Sequence, residues 1–482
     1  MMRLGIWIAA LLLAAGLADT ASPAAERPKP AAARAGEAKA IDVQVERNGS
    51  TWTADFTFPG DAAAWGFTHS GLIRDENKPW RPRSWTIETP GVRLERRGWY
   101  DLLVGENGKV PRKVRIRFTP FGGDLPSDYD PALIFTNGAV ALYTGQFDAF
   151  PLPSAAAAEK LPIDAGEIKL PVPVTRVTFK DRNGRIFHGG KRHPFITATG
   201  GTAYVLFGEA KTGESKEIST LIDPQLPAWL GVRLGEMTPR LLGYYAARLG
   251  PRSGGKPMLM VSWAGATKGR RSMGGSVLPG LVLMTFEGDA VLKEDPVVRD
   301  AARWFIAHEA AHFWAGEIVG YQSASQSWIT EGGADLLAIR GVSAVDPDYD
   351  AAAKLNELAD ECVKLAAGKP LRTAAERNEQ RAYYACGAMI GLVAEGAARR
   401  SSDGDFFTFW RGLIDANRAD GVVSQDDWLK ALTRLARGDR LASGIRRIAD
   451  EGVPDPAATF SALFKEAGVP HRLDASGRLR FE

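Results

Sequence analysis

Between about residues 41 and 210 the chain alternates apolar and polar positions with a period of two. Trp52, Ala54, Phe56 and Phe58 interleave with Thr51, Thr53, Asp55 and Thr57, which makes one face of an extended strand apolar and the other polar. Further strand-like runs lie at 114–118, 140–143, 174–179 and 203–207. Pro59-Gly60, Glu106-Asn107-Gly108, Asn137-Gly138 and the segment 181–184 supply turn chemistry between strands. This half predicts an all-β domain, a sandwich or saddle-shaped sheet. From about 215 the period changes. Leu226, Leu230, Leu234, Leu241, Leu242 and Tyr245 recur at helical intervals over 226–249, and two short apolar runs, 257–263 and 281–286, predict strands. A helix then starts with Asp295 as N-cap and Pro296 at its first position, with Val297, Ala301, Trp304, Phe305, His308 and His312 as its buried face. From about 350 to the end the pattern is mainly helical, broken at Gly368-Lys369-Pro370, Gly404 and Gly452-Val453-Pro454. No internal repeat is present.

The N-terminus stands apart. Arg3 precedes an apolar run of about fifteen residues and then small residues, so 1–25 reads as a secretory signal, too short for a comfortable membrane span. Residues 26–40 read as a disordered linker rich in Ala, Pro, Lys, Arg and Glu. The expected product is an exported protein, periplasmic or secreted, with no stable membrane insertion once the signal is removed; an uncleaved signal would act as a tether.

Composition narrows the function classes. With 482 residues and 45% hydrophobic content there is material for more than one core. A formal charge of +3, from 60 basic and 57 acidic residues, implies no nucleic-acid partner. The one local basic group, Lys268, Arg270 and Arg271, reads as a solvated loop. Cys362 and Cys386 are the only cysteines; in an oxidising compartment they are disulfide candidates, with buried free thiols as the alternative.

The chemistry is concentrated in His308-Glu309-Ala310-Ala311-His312, followed after eighteen residues by Glu331. Two histidines four apart share one helix face, so both imidazoles can reach one Zn2+ ion, with Glu331 as third ligand. Glu309 is then the general base. Three protein ligands leave an open position at which zinc lowers the pKa of a water to roughly 7. Chance would place an H-E-x-x-H in roughly one chain in a few hundred with so few histidines, and Glu331 makes chance a still poorer explanation. Asp335, one turn beyond Glu331, is placed to accept the outer N–H of His308 or His312.

The segment 308–319, HEAAHFWAGEIV, together with Trp328-Ile329-Thr330-Glu331-Gly332, resembles the gluzincin metallopeptidases of the aminopeptidase N family. Trp314, Gly316, the eighteen-residue gap and Trp328 all match, and the likeness extends over about 223–415. It implies a multidomain α+β fold: a β-rich N-terminal domain at 41–212, a thermolysin-like zinc catalytic domain at 213–400, and helices at 401–482 that complete it. It also implies that His308, His312 and Glu331 bind one zinc, that Glu309 is the base, and that a tyrosine stabilises the oxyanion. Tyr384-Ala385-Cys386-Gly387 fits the family's Tyr-x-x-Gly pattern and assigns that role to Tyr384, with Tyr383 as the fallback. One departure stands out. Where the family's exopeptidases carry Gly-x-Met-Glu-Asn, this chain has Gly275-Ser276-Val277-Leu278-Pro279-Gly280, without the Glu that holds a substrate's α-amine. The backbone of Gly275, Ser276 and Val277 can still pair with an extended peptide. The expected function is a zinc metallopeptidase acting on peptides or proteins, with exopeptidase status open. A zinc hydrolase of esters or epoxides, and a catalytically silent zinc-containing binding protein, are the alternatives.

Overall fold

The computed structural model describes residues 6–8 and 40–482, apart from 75, 124, 126–127, 164–167, 169, 171, 189–190, 210, 253 and 403. Apart from 6–8 and 40, the expected signal and linker lie outside the described residues. No helix among the described residues is long and apolar enough to cross a membrane.

The alternating half folds as three large sheets around one core, with a two-stranded pair, Leu72–Ile73 and Lys78–Pro79, and short helical turns such as α1 (Arg81–Ser84). A six-stranded sheet runs in the order Phe195–Thr199, Thr175–Asp181, Ile41–Asn48, Thr51–Thr57, Lys113–Phe118, Trp85–Ile87. In Thr51–Thr57 the period-two pattern is realised directly: Trp52, Ala54 and Phe56 are buried while Thr51 and Thr57 are exposed. The turns at Gly108, Gly138 and Gly184 take φ of 73°, 82° and 65°, values that glycine reaches without steric cost. A four-stranded sheet and a five-stranded sheet contribute Trp65, Leu103, Leu142 and Val205 to the same core.

The middle strands of the five-stranded sheet, Val140–Tyr143 and Tyr204–Phe207, are buried on both faces. Tyr129, Tyr143, Tyr204 and Leu206 on its far side pack against Leu221, Met260, Leu278, Leu281 and Leu283, which join it to the next sheet. That sheet runs Ile6–Ile8, Ser272–Leu278, Leu281–Glu287, Met258–Trp263, Ser219–Ile222, Thr212–Glu214. Its other face carries the helices α2 (Ala228–Leu249), α3 (Pro296–Ala311), α4 (Trp328–Val345), α5 (Ala351–Ala366) and α6 (Arg381–Ser402). α7 (Phe406–Asn417), α8 (Gln425–Ala436), α9 (Arg440–Asp450) and α10 (Pro456–Ala467) follow, and all nine helices share one large core with the sheet.

α3 begins as the sequence implies. The Asp295 carboxylate accepts the Val298 N–H at 3.0 Å, with Pro296 at the first position. Its buried face differs from the expected stripe. Val297 is 57% exposed, and Val298 and Ala302 are buried in its place. Pro296 and Val297 at the start are exposed, whereas every residue from Ala302 to Ala311 is buried. A helix enclosed on all sides does not show a single apolar stripe. The basic loop is a second correction: Lys268 is exposed, but Arg270 pairs with Glu287 at 3.1 Å and Arg271 is only 6% exposed. The loop folds back onto the end of Leu281–Glu287, where Gly269 donates to Asp289 at 2.9 Å.

Candidate active site

His308 and His312 project from the last turn of α3, and Glu331 and Asp335 from the first turns of α4; all four are fully buried. His312 Nδ1 lies 2.8 Å from the Ala315 carbonyl, which can only accept, so this nitrogen carries the proton and Nε2 the lone pair. The glycine after Ala315, Gly316, turns the chain at φ 150°. His308 Nδ1 donates to Asp335 Oδ1 at 2.6 Å, which likewise leaves Nε2 as an acceptor. The two Nε2 atoms face each other at 2.8 Å, and Glu331 Oε2 lies 3.6 and 3.5 Å from them. Two lone pairs and a carboxylate cannot hydrogen-bond to one another; what fits between them is a cation.

The chemistry of the set selects the cation. Donor atoms of His308, His312 and Glu331 lie within 4.8 Å of one another. Zinc with bonds of about 2.0–2.1 Å would space tetrahedral donors about 3.3 Å apart, close to the carboxylate distances seen. Both oxygens of Glu331 and both of Glu309 are buried without a hydrogen-bond partner among the described residues. Burial, and then the neighbouring His312, hold the His308 imidazolium down to about 3, so the ring is neutral and available as a ligand. Burial, and then the charge of Glu331, push Glu309 well above the usual carboxylate range. A divalent cation beside it opposes both effects.

Glu309 sits against the strand Ser272–Leu278. A Cβ on Gly275 would lie 2.2 Å from Glu309 Oε1, so only glycine lets the strand come this close to the carboxylate. Leu278, in the stretch that lacks the exopeptidase Glu, is 3% exposed and belongs to the apolar layer beneath the N-terminal domain. The outer edge of the strand pairs antiparallel with Ile6–Ile8, Ile8 standing opposite Gly275.

Tyr384 and Tyr383 point to different places. The Tyr384 ring stacks beside His308, centroids 5.9 Å apart at 18°. The Tyr383 hydroxyl instead donates to the Arg372 carbonyl at 3.2 Å and accepts from Ala375 N–H at 3.3 Å. Burial, and then Glu331, push the Tyr384 phenol well above its usual value, so it keeps its proton. The position of α6 depends on glycines: a Cβ on Gly332 would lie 2.2 Å from the Gly387 backbone, and one on Gly387 would lie 2.4 Å from the Trp328 carbonyl. On its other side α6 is fastened to α5. Cys362 and Cys386 form a disulfide, and Arg381 makes a two-pronged ion pair with Glu361 at 3.0 and 2.7 Å. The Arg381 guanidinium stands 5.0 Å over the Tyr384 ring. Sequence reasoning missed Arg381 and Glu361 and the packing role of Gly332, along with Lys354, whose ammonium lies 3.9 Å over Trp304, itself packed on His308. The only advance signal was the Gly of the Tyr-x-x-Gly pattern.

No protein-family profile matches the sequence, and no curated protein matches it. Solved structures do. An aminopeptidase N family protein from Idiomarina loihiensis superposes with a TM-score of 0.59 over 87% of this chain and 78% of its own, at 11% identity. Native leukotriene A4 hydrolase from Saccharomyces cerevisiae gives 0.50 over 86% and 68%, at 12% identity. At that identity the likeness establishes architecture: this chain has the multidomain α+β fold of the aminopeptidase N family, with a β-rich N-terminal region and a helical C-terminal one.

Proposed function

We propose that the protein is a zinc-dependent metallopeptidase. The observation that carries the reading is the convergence of His308 Nε2, His312 Nε2 and Glu331 Oε2, fully buried, beside a second buried carboxylate, Glu309, that has no structural partner. A zinc ion held by these three donors would supply a water with a pKa near 7 and polarise a carbonyl. The residues of the chain do the rest. Asp335 and the Ala315 carbonyl hold each imidazole with its lone pair inward. Glu309 takes the proton of the attacking water and returns it to the leaving amine. Tyr384 donates its phenol O–H to the oxyanion that develops, a contribution of about 3 kcal/mol for one such donor. The edge at Gly275, Ser276 and Val277, paired here with Ile6–Ile8 of the expected signal segment, aligns the peptide backbone by strand addition once that segment is removed. The names of the structural neighbours, peptidase and hydrolase, support this chemistry class.

A mixed peptide library incubated with the protein, with and without chelator, and read by mass spectrometry tests the proposal. New fragments that disappear with chelator are expected. Ladders from the N-terminus would identify an aminopeptidase and internal cuts an endopeptidase; no cleavage would overturn the reading.

A further inference from the structure

Arg271 is the cation of the 268–271 loop that is withdrawn from water without a partner. It is 6% exposed, and its Nε and Nη2 are buried with no hydrogen bond among the described residues. These two N–H groups lie along one edge of the planar guanidinium, the edge that grips both oxygens of a carboxylate. Two acids are in electrostatic reach, Asp295 and Glu357. Each is engaged elsewhere: Asp295 caps α3 through Val298 N–H, and Glu357 takes the Lys354 ammonium at 2.9 Å. A buried charged donor left in this state is costly unless something outside the fold completes it.

The strand that Arg271 precedes says what that is. Side chains alternate along Ser272–Leu278. Met273 and Val277 share the core of α3, and a Cβ at Gly275 would point into the Glu309 carboxylate. Continued by one residue, the same parity places Arg271 on the Glu309 side, about 13 Å along the strand from Gly275 at ~3.3 Å per residue. The edge already pairs antiparallel with Ile6–Ile8, from Ile6 opposite Val277 to Ile8 opposite Gly275. A peptide bound in that sense, with its scissile carbonyl at Glu309, runs C-terminally past Gly274, Met273 and Ser272 toward Arg271.

We propose that Arg271 binds the C-terminal carboxylate of short peptide substrates that end about three residues beyond the scissile bond. The proposal rests on the peptidase reading above and narrows it to oligopeptides with a free carboxyl end. A chain end is selected by charge, and a long polypeptide threading the same edge gains nothing from Arg271.

The test is calorimetric binding of tetra-alanine and of its C-terminal amide to the zinc-loaded Glu309→Gln protein, which holds peptide without cleaving it. The free acid is expected to bind at least tenfold more tightly. In Glu309→Gln/Arg271→Met the two should bind alike, at the affinity of the amide for the parent. Arg271→Lys, which keeps the charge but not the fork, should restore part of the preference, and serves if the Met variant does not fold. Equal binding of acid and amide to the parent, or a preference that survives Arg271→Met, would overturn the proposal. Equal binding together with cleavage by the unmutated enzyme removes the Arg271 assignment alone. Absence of binding and of cleavage removes the peptidase reading with it.

Discussion

Two buried polar clusters, one in each half of the molecule, differ in what their carboxylates touch. In the N-terminal domain Arg81 is fully buried among Phe67, Trp80 and Trp85 and donates to Asp101 at 3.1 Å and to the Gln146 carbonyl at 2.8 Å. Asp101 also receives Arg96 at 3.0 Å. Asp128 receives His69 at 2.6 Å and the N–H groups of Gly71 and Tyr129 at 2.7 and 3.0 Å. In the helical half Glu309 and Glu331 have no hydrogen bond on either oxygen among the described residues, and Asp335 has none on Oδ2. Both clusters contain His, Asp and aromatic rings at similar depth. Satisfaction of the carboxylates, rather than composition or burial, separates the two clusters.

Substitutions sharpen this contrast. The largest effect is expected at Glu309→Gln, which keeps the shape and removes the base: turnover should fall at least about a hundredfold, with zinc content and thermal stability unchanged. Tyr384→Phe should lower kcat by about a hundredfold and leave zinc in place, since its donor is needed mainly in the transition state. If Tyr383→Phe were the more damaging change in a steady-state assay, the assignment would move to the neighbour. Arg81→Met belongs to the other class. It leaves Asp101 short of a buried partner, so urea unfolding should show a loss of about 3–5 kcal/mol, while zinc per folded molecule stays constant. If Arg81→Met abolished turnover in protein that is fully folded, the contrast between the clusters would break. The smaller loss of stability is expected for Cys362→Ala/Cys386→Ala. Opening a loop spanned by a separation of 24 residues costs about 3 kcal/mol in the chain-entropy model. Because the bridge fastens the back of the Tyr384 helix, kcat should drop without loss of metal.

What could be read in advance was local. His308 and His312 are one helical turn apart, as are Glu331 and Asp335, so two short segments already place four side chains on two faces. Asp295-Pro296 announced the start of α3, and the alternation around Trp52 to Phe58 announced its strand. What could not be read depends on packing between distant segments. The contact of Gly332 with Gly387 brings α4 and α6 together, and the ion pair of Arg381 with Glu361 steadies the ring of Tyr384. The burial of Arg271 and the exposure of Val297 follow from how a loop and a first turn meet the sheet. No periodicity encodes any of these.

The central claim is that three donors hold zinc while a fourth carboxylate beside them does not. Metal analysis of the purified protein alongside Glu331→Ala and Glu309→Gln tests it directly. The account predicts one zinc per chain in the parent and in Glu309→Gln, and its loss in Glu331→Ala. Full zinc in Glu331→Ala, or loss of zinc from Glu309→Gln alone, would contradict it.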